Sequence, residues 1–281
     1  HCRRPAVGGP ALWPEERWEM NDLLLEAREV TKNFGGLQAI NQVNFQIRKG
    51  EIFSVIGPNG AGKTTLFNLI TAFLPPTRGE IFFKGEKISS LKPFQVARRS
   101  IARTFQLTTL FEKNTVMENL MIGQRTTREM GILQALFGGP RKRLTEKNNL
   151  DRAHQLAEFI GLSGEKEIQA GLLPQRAQKQ LSIGLALATN PELLLLDEPA
   201  GGVNMEEAGV LIDLITRIRN SGITICLIEH KMSVVMNISD RILALNYGKK
   251  VTEGTPAEVC RNEEVIKSYL GDKYASARRS G

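Results

Sequence analysis

From Leu23 onward apolar and polar residues alternate with the period of two expected of half-buried strands, first in LLEAREVTKNF and then in AINQVNFQIRKGEIFSVI. The Gly35-Gly36 and Lys49-Gly50 pairs punctuate these runs as turns. A loop and a helix, LFNLITAF, follow, and GEIFFKGEKI reads as a hairpin-like pair around Lys84-Gly85. Residues 92–192 are mostly helical in pattern, interrupted by FGGPRKR at 137–143. Continuous apolar runs return in ELLLLDE (192–198) and ITICLIEH (223–230), with the amphipathic MEEAGVLIDLITRIRNSG between them. Such a strand, helix, strand succession with fully apolar strands predicts a parallel sheet covered on both faces, and hence an α/β fold. No internal repeat or low-complexity tract interrupts it.

Composition narrows this only a little. At 281 residues, 41% hydrophobic and 24% charged, the chain can bury a large core. Its longest apolar stretches fall well short of the ~18 residues that would suggest a membrane-spanning helix. A formal charge of +7, from 37 basic against 30 acidic side chains, favours an anionic neighbour without choosing among nucleotide, nucleic acid and lipid. Cys2, Cys226 and Cys260 are odd in number and widely spaced, which indicates neither a disulfide framework nor a zinc site. Cys226, inside ITICLI, reads as a small buried hydrophobe. Residues 1–19 show no apolar periodicity and no secretory core, so a disordered extension ahead of a working start at Met20 is expected.

The candidate chemistry begins at residues 57–65, GPNGAGKTT, lying between the apolar run IFSVI and a helix. This is the Gly-x4-Gly-Lys-Thr pattern in the context its mechanism needs. Gly57, Gly60 and Gly62 let the backbone turn tightly enough to aim amides at phosphate oxygens, with Pro58, Asn59 and Ala61 completing the loop and Thr65 extending it. The helix starting near Lys63 adds its positive end, Lys63 itself would reach the β and γ phosphates, and Thr64 offers a hydroxyl to Mg²⁺. Downstream, the apolar strand ends in Asp197, fit to hold Mg²⁺, and Glu198, fit to orient or deprotonate an attacking water. A glycine-rich turn and a strand ending in two acids can each occur by accident; together they leave that reading little room.

A GTPase would carry an Asn-Lys-x-Asp guanine reader, which is absent, and a small-molecule kinase does not account for what lies between the two motifs. Gln106, in ARTFQ, follows Lys63 by 43 residues, and His230 follows Asp197 by 33 at the end of an apolar strand. With these four elements the chain resembles the ABC transporter ATPases, and among them the ATP-binding subunits of branched-chain amino acid importers. Segments FGGLQAI, TVMENL, LLLLDEPAGGVN, LIEHKMSVVMNISDRI and SYLGDKY support the resemblance, which spans Leu23 to Gly271. It implies a RecA-like P-loop NTPase core with an antiparallel β subdomain and a helical subdomain at about 107–190, followed by a tail at 272–281. It implies that Gln106 touches the Mg²⁺ and relays motion to a transmembrane partner, that His230 holds the γ-phosphate, and that Phe34 stacks on adenine, although a lone Phe is more often a core or turn residue. It further implies ATP and Mg²⁺ as ligands, transmembrane permease subunits, a second ABC ATPase subunit and, indirectly, an extracytoplasmic solute-binding protein. The place of work would be the cytoplasmic face of the membrane; no nucleic acid is expected.

One family feature is altered. ABC ATPases present a Leu-Ser-x-Gly-Gln signature at a helix start, whose serine, glycine backbone and dipole clamp the γ-phosphate on the opposite subunit. LSIGL (181–185) is the nearest literal match but lies only 16 residues before Asp197; Leu173 lies 24 before it, the separation the family keeps. The signature is then Leu173, Pro174, Gln175, Arg176 and Ala177, with Pro174 in place of the serine, Arg176 of the glycine and Ala177 of the glutamine. Losing one transition-state donor costs about 3 kcal/mol, which predicts a slow half-site and an asymmetric heterodimer with an intact partner. Two alternatives stand beside this: Arg176 grips phosphate as a charged substitute, or the motif has drifted harmlessly. Two rival functions also stand, a regulatory ATP-binding subunit and a non-transport ABC ATPase acting on nucleic acid.

Overall fold

The computed structural model describes residues 22–104, 110–125 and 140–270. The expected N-terminal extension, Gln106, part of the 124–150 insert and the 272–281 tail lie outside the described residues. In chain order the elements are β1 (Leu23–Phe34), β2 (Leu37–Arg48), β3 (Ile52–Ile56), α1 (Lys63–Ile70), β4 (Arg78–Phe83), β5 (Glu86–Lys87), α2 (Pro93–Ala97) and β6 (Ile101–Arg103). There follow α3 (Val116–Arg125), α4 (Pro140–Phe159), α5 (Gln175–Leu187), β7 (Leu193–Asp197), α6 (Met205–Asn220) and β8 (Thr224–Ile228). The last are α7 (Met232–Ile238), β9 (Arg241–Asn246), β10 (Lys249–Gly254), α8 (Pro256–Arg261) and α9 (Glu263–Leu270). The described residues fall into two compact units, one formed by those up to Val96 together with those from Arg219, the other by those from Ala97 to Ile218.

In the first unit the alternation becomes an antiparallel sheet of order β2-β1-β4-β5. Along β2, Ile40, Val43, Phe45 and Ile47 are buried while Gln42, Asn44 and Gln46 are exposed, the one-sided burial that period-two patterning encodes. The apolar runs behave differently. β3 lies parallel between β8 and β9, with Phe53 opposite Cys226 on one side and Arg241 on the other, and every residue of β3 and β8 is buried. β9 returns as β10 through a two-residue loop, Tyr247-Gly248, both with positive φ as tight hairpins favour. Cys226 is fully buried and burial pushes its thiol far up, so it is inert packing.

Buried polar groups at the start of β3 are paired. The Glu51 carboxylate accepts from the Arg48 amide at 2.7 Å and from Arg241 Nη1 at 3.1 Å, while the Ile52 amide donates to Asp240 Oδ2 at 2.8 Å. Desolvation nonetheless wins over Arg241 and raises the Glu51 carboxyl above its ordinary 4.5. An acid raised in the folded state keeps its proton where the unfolded chain has lost it, so stability falls as pH rises from 4.5 to the folded value and is flat above that. The melting temperature of the wild type minus that of Glu51→Gln is therefore expected to fall over that window; a difference independent of pH would refute it.

The second unit packs α3, α4 and α5 beside a parallel pair, β6 and β7, with Ile101 opposite Leu193 and Arg103 opposite Leu195. β6 is a short strand inside the stretch read as mostly helical: three residues are too few to show a period. Asn119, fully buried, donates to the carbonyls of Phe111 and Thr115 at 3.1 and 2.9 Å and so fixes the turn into α3. At the start of α6, Asn204 and Glu207 cap each other's amides reciprocally.

Candidate functional site

The first unit supplies the glycine-rich loop. β3 ends at Ile56 and α1 begins at Lys63, so the intervening segment leaves a buried strand and enters a helix N-terminus within six residues. Gly57 and Gly62 are required there. A Cβ on Gly57 would lie 2.4 Å from the Leu245 carbonyl oxygen, and one on Gly62 would lie 2.6 Å from that of Ala39. Gly62 is the N-cap and carries no side-chain cap, so no N-cap side chain competes for the first-turn amides of α1. Ala61 is buried, and its carbonyl accepts from the Gly248 amide at 3.0 Å, bracing the loop against the β9–β10 turn. Pro58 is half-buried and Asn59 and Gly60 are exposed.

Lys63 folds back over this loop. Its Nζ donates to the carbonyls of Gly57 at 2.8 Å and Pro58 at 3.0 Å. An ammonium so placed is a compact point charge held over the loop, of a kind suited to a phosphate. Thr64 is exposed and Thr65 half-buried on the first turn of α1. Phe34, at the end of β1, is 45% exposed, and Lys32 Nζ stands 5.3 Å from its ring centre, so the ring is surface rather than core. His230 follows β8 and is half-buried. The sequence reading missed Glu229, whose buried carboxylate accepts from the amides of His230 at 2.9 Å and Lys231 at 3.2 Å and shapes the turn that presents the imidazole.

The second unit supplies the acids. Asp197 ends β7 with its side chain 2% exposed; Oδ2 accepts from Arg103 Nη2 at 2.9 Å. Its other oxygen, Oδ1, is buried and has no hydrogen-bond partner among the described residues. A buried carboxylate oxygen left without a proton donor suits a hard cation such as Mg²⁺. Glu198, next in the chain, has φ 49, an uncommon conformation for a side-chain-bearing residue, and its carbonyl accepts from Gly201 N at 3.0 Å and Lys179 Nζ at 3.1 Å. Neither Arg103 nor Lys179 carries a signal in the sequence beyond being a cation.

The string Leu173–Ala177 lies at a helix start. Pro174 is the N-cap of α5 with no side-chain cap, Leu173 and Ala177 are buried, and the LSIGL match lies inside the helix. There Gly184 serves packing, since a Cβ would stand 2.6 Å from Ile160 Cδ1. Gln175 lies against Gly202, where a Cβ would be 2.6 Å from its Nε2. Arg176 turns along the helix: Nη1 donates to Gln180 Oε1 at 2.6 Å, and Gln180 Nε2 donates to the Ile160 carbonyl at 2.6 Å.

Comparison with known proteins gives the family. Residues 40–201 match the family model described as ABC transporter, and residues 249–275 match that described as branched-chain amino acid ATP-binding cassette transporter. The chain is 43% identical over 254 residues to the high-affinity branched-chain amino acid transport ATP-binding protein LivG of Salmonella typhimurium, which covers 90% of this chain and all of that protein. It is 40% identical over the same length and coverage to BraF of Pseudomonas aeruginosa, which bears the same description. Among solved structures, the ADP conformation of an ATP-binding cassette of an ABC transporter is similar with a TM-score of 0.77 at 30% identity, over 89% of this chain and 99% of that one. With more than half its length matched by the family model and relatives this close over nine-tenths of it, the chain belongs to the ATP-binding cassettes of ABC transporters.

Proposed function

We propose that this chain is the ATP-hydrolysing subunit of an ABC importer that takes up branched-chain amino acids or a related solute. The observation that carries the reading is the glycine-rich loop, with Lys63 folded over it and an N-cap without a side chain. The solute rests on the relatives at 40 to 43% identity and on the match at 249–275. The reaction is transfer of the γ-phosphoryl group of ATP to water. Loop amides and Lys63 hold and neutralise the phosphates, Thr64, Gln106 and Asp197 would hold Mg²⁺, Glu198 orients the water and takes its proton, and His230 donates to the γ-phosphate. Held by these residues, Mg²⁺ would supply charge neutralisation for the phosphoryl transfer. Phe34 stacks on the adenine. No described helix is long and apolar enough to cross a membrane, and the chain works peripherally, on the cytoplasmic face, through permease subunits fed by an extracytoplasmic solute-binding protein.

The second ATPase subunit is a different chain. Pro174 brings no hydroxyl to the N-cap of α5, and the Arg176 guanidinium is engaged with Gln180 one turn into the helix, which argues against its serving as a phosphate grip. An intact partner signature would then complete the site built on Lys63, Asp197, Glu198 and His230. Steady-state ATPase of the chain alone tests this. The wild type is expected to be nearly silent, and Pro174→Ser with Arg176→Gly to raise the rate about tenfold or more by restoring a donor and close approach. A wild-type rate rising faster than linearly with protein concentration would show self-paired sites that work, and the heterodimer would be dropped.

A further inference from the structure

We propose that Arg103 is a positioning residue for the metal-side carboxylate: its guanidinium pins Oδ2 of Asp197 so that Oδ1 alone is presented to the cation. The inference rests on the reading of Asp197 given above and assigns a function to a residue that reading does not use.

Arg103 and Asp197 meet at 2.9 Å with side chains 5% and 2% exposed. A buried ion pair gains little net stability, because desolvating both charges offsets their attraction; what it supplies is a fixed geometry, and removing one partner strands the other charge. The strands deliver that geometry. β6 and β7 run parallel, Thr104 N donates to the Leu195 carbonyl at 2.9 Å, and the Asp197 amide donates to Thr104 Oγ1 at 3.3 Å. The end of β6 therefore grips the end of β7 at backbone and side chain together. A carboxylate free to turn could offer either oxygen or both; with Oδ2 in a charge-assisted bond only Oδ1 is left, the oxygen that is buried without a partner among the described residues. Partners that orient a metal-binding group typically carry a 10–100-fold effect, roughly, on metal affinity when removed.

A purely structural ion pair would change melting behaviour and nothing else. The test therefore measures the affinity of a fluorescent ATP analogue in Mg²⁺ and in EDTA for full-length wild type, Arg103→Ala, Arg103→Lys and Asp197→Asn, with melting temperatures alongside. The ratio of the two affinities is the Mg²⁺ gain. Arg103→Ala is expected to lose about tenfold of that gain while its affinity in EDTA stays within about twofold of wild type. Arg103→Lys keeps a cation but not the planar fork and is expected to lose less. Should Arg103→Ala fail to fold, Arg103→Lys carries the test alone: an undiminished gain overturns the proposal. A gain lost in Asp197→Asn but intact in Arg103→Ala overturns it as well. If Asp197→Asn keeps the full gain, the reading of Asp197 itself fails, and with it the premise.

Discussion

Glu198→Gln is expected to lower steady-state ATP turnover by about 10²–10³-fold while leaving MgATP binding within about twofold. Glutamine fills the same volume and keeps an acceptor oxygen, but it cannot take a proton from water, so the loss falls on the chemical step. The backbone around Glu198 argues for a dedicated role. Its φ of 49 costs on the order of 1 kcal/mol or more. Two bonds to its carbonyl, from Gly201 N and Lys179 Nζ, hold it there immediately after a strand buried along its whole length. Strain kept in place by such partners fixes where the carboxylate starts from. Turnover must be measured in whatever assembly hydrolyses best, the chain alone or paired, with binding read separately from a fluorescent nucleotide. Residual turnover above about a tenth of wild type would mean that another group handles the proton.

The parts of this molecule that could be read from the sequence are those in which one short segment carries its own physics. β2 announces itself by strict alternation from Val43 to Arg48, β1 by a looser alternation broken by bulges, β3 and β8 by unbroken apolar runs, and the loop at 57–65 by glycines placed between a strand and a helix. The separation that the ABC ATPases keep points to Leu173–Ala177 rather than to LSIGL, and α5 begins at Gln175 with Pro174 as its cap. Contacts made by residues remote in sequence were invisible. Arg103 and Asp197 are 94 positions apart, and nothing in the string ARTFQ says that its arginine points at an aspartate on the neighbouring strand. Lys179 acts on a carbonyl, which has no sequence identity at all, and Glu229 acts on amides one and two residues ahead. The bond from Arg176 to Gln180, one turn along the same helix, is likewise nothing that the string LPQRA states.

Gly62→Ala is expected to abolish nucleotide binding, by about 10²-fold or more, and to cost roughly 2–4 kcal/mol of stability, on the order of 5–10 °C in melting temperature. Two independent obstacles meet at this position. The φ of 102 lies where a side chain is strained, and the added Cβ would lie 2.6 Å from the Ala39 carbonyl oxygen and 2.7 Å from Ile40 Cδ1. Ala39 belongs to β2, which is hydrogen-bonded to β1, so the nearer obstruction is backbone fixed in a sheet, and only the Ile40 side chain could swing aside. Relief requires the loop to lift, and the loop is what aims the first-turn amides of α1 and positions Lys63. Gly60 provides the control within the same loop. Its φ of 79 is also positive, but nothing stands within 4 Å of a Cβ built there. Gly60→Ala meets only the left-handed conformation, about 1 kcal/mol, and is expected to melt close to wild type. If the two variants melt alike and both bind nucleotide, the close approach of loop to β2 does not hold the phosphate site; if Gly62→Ala alone fails, it does.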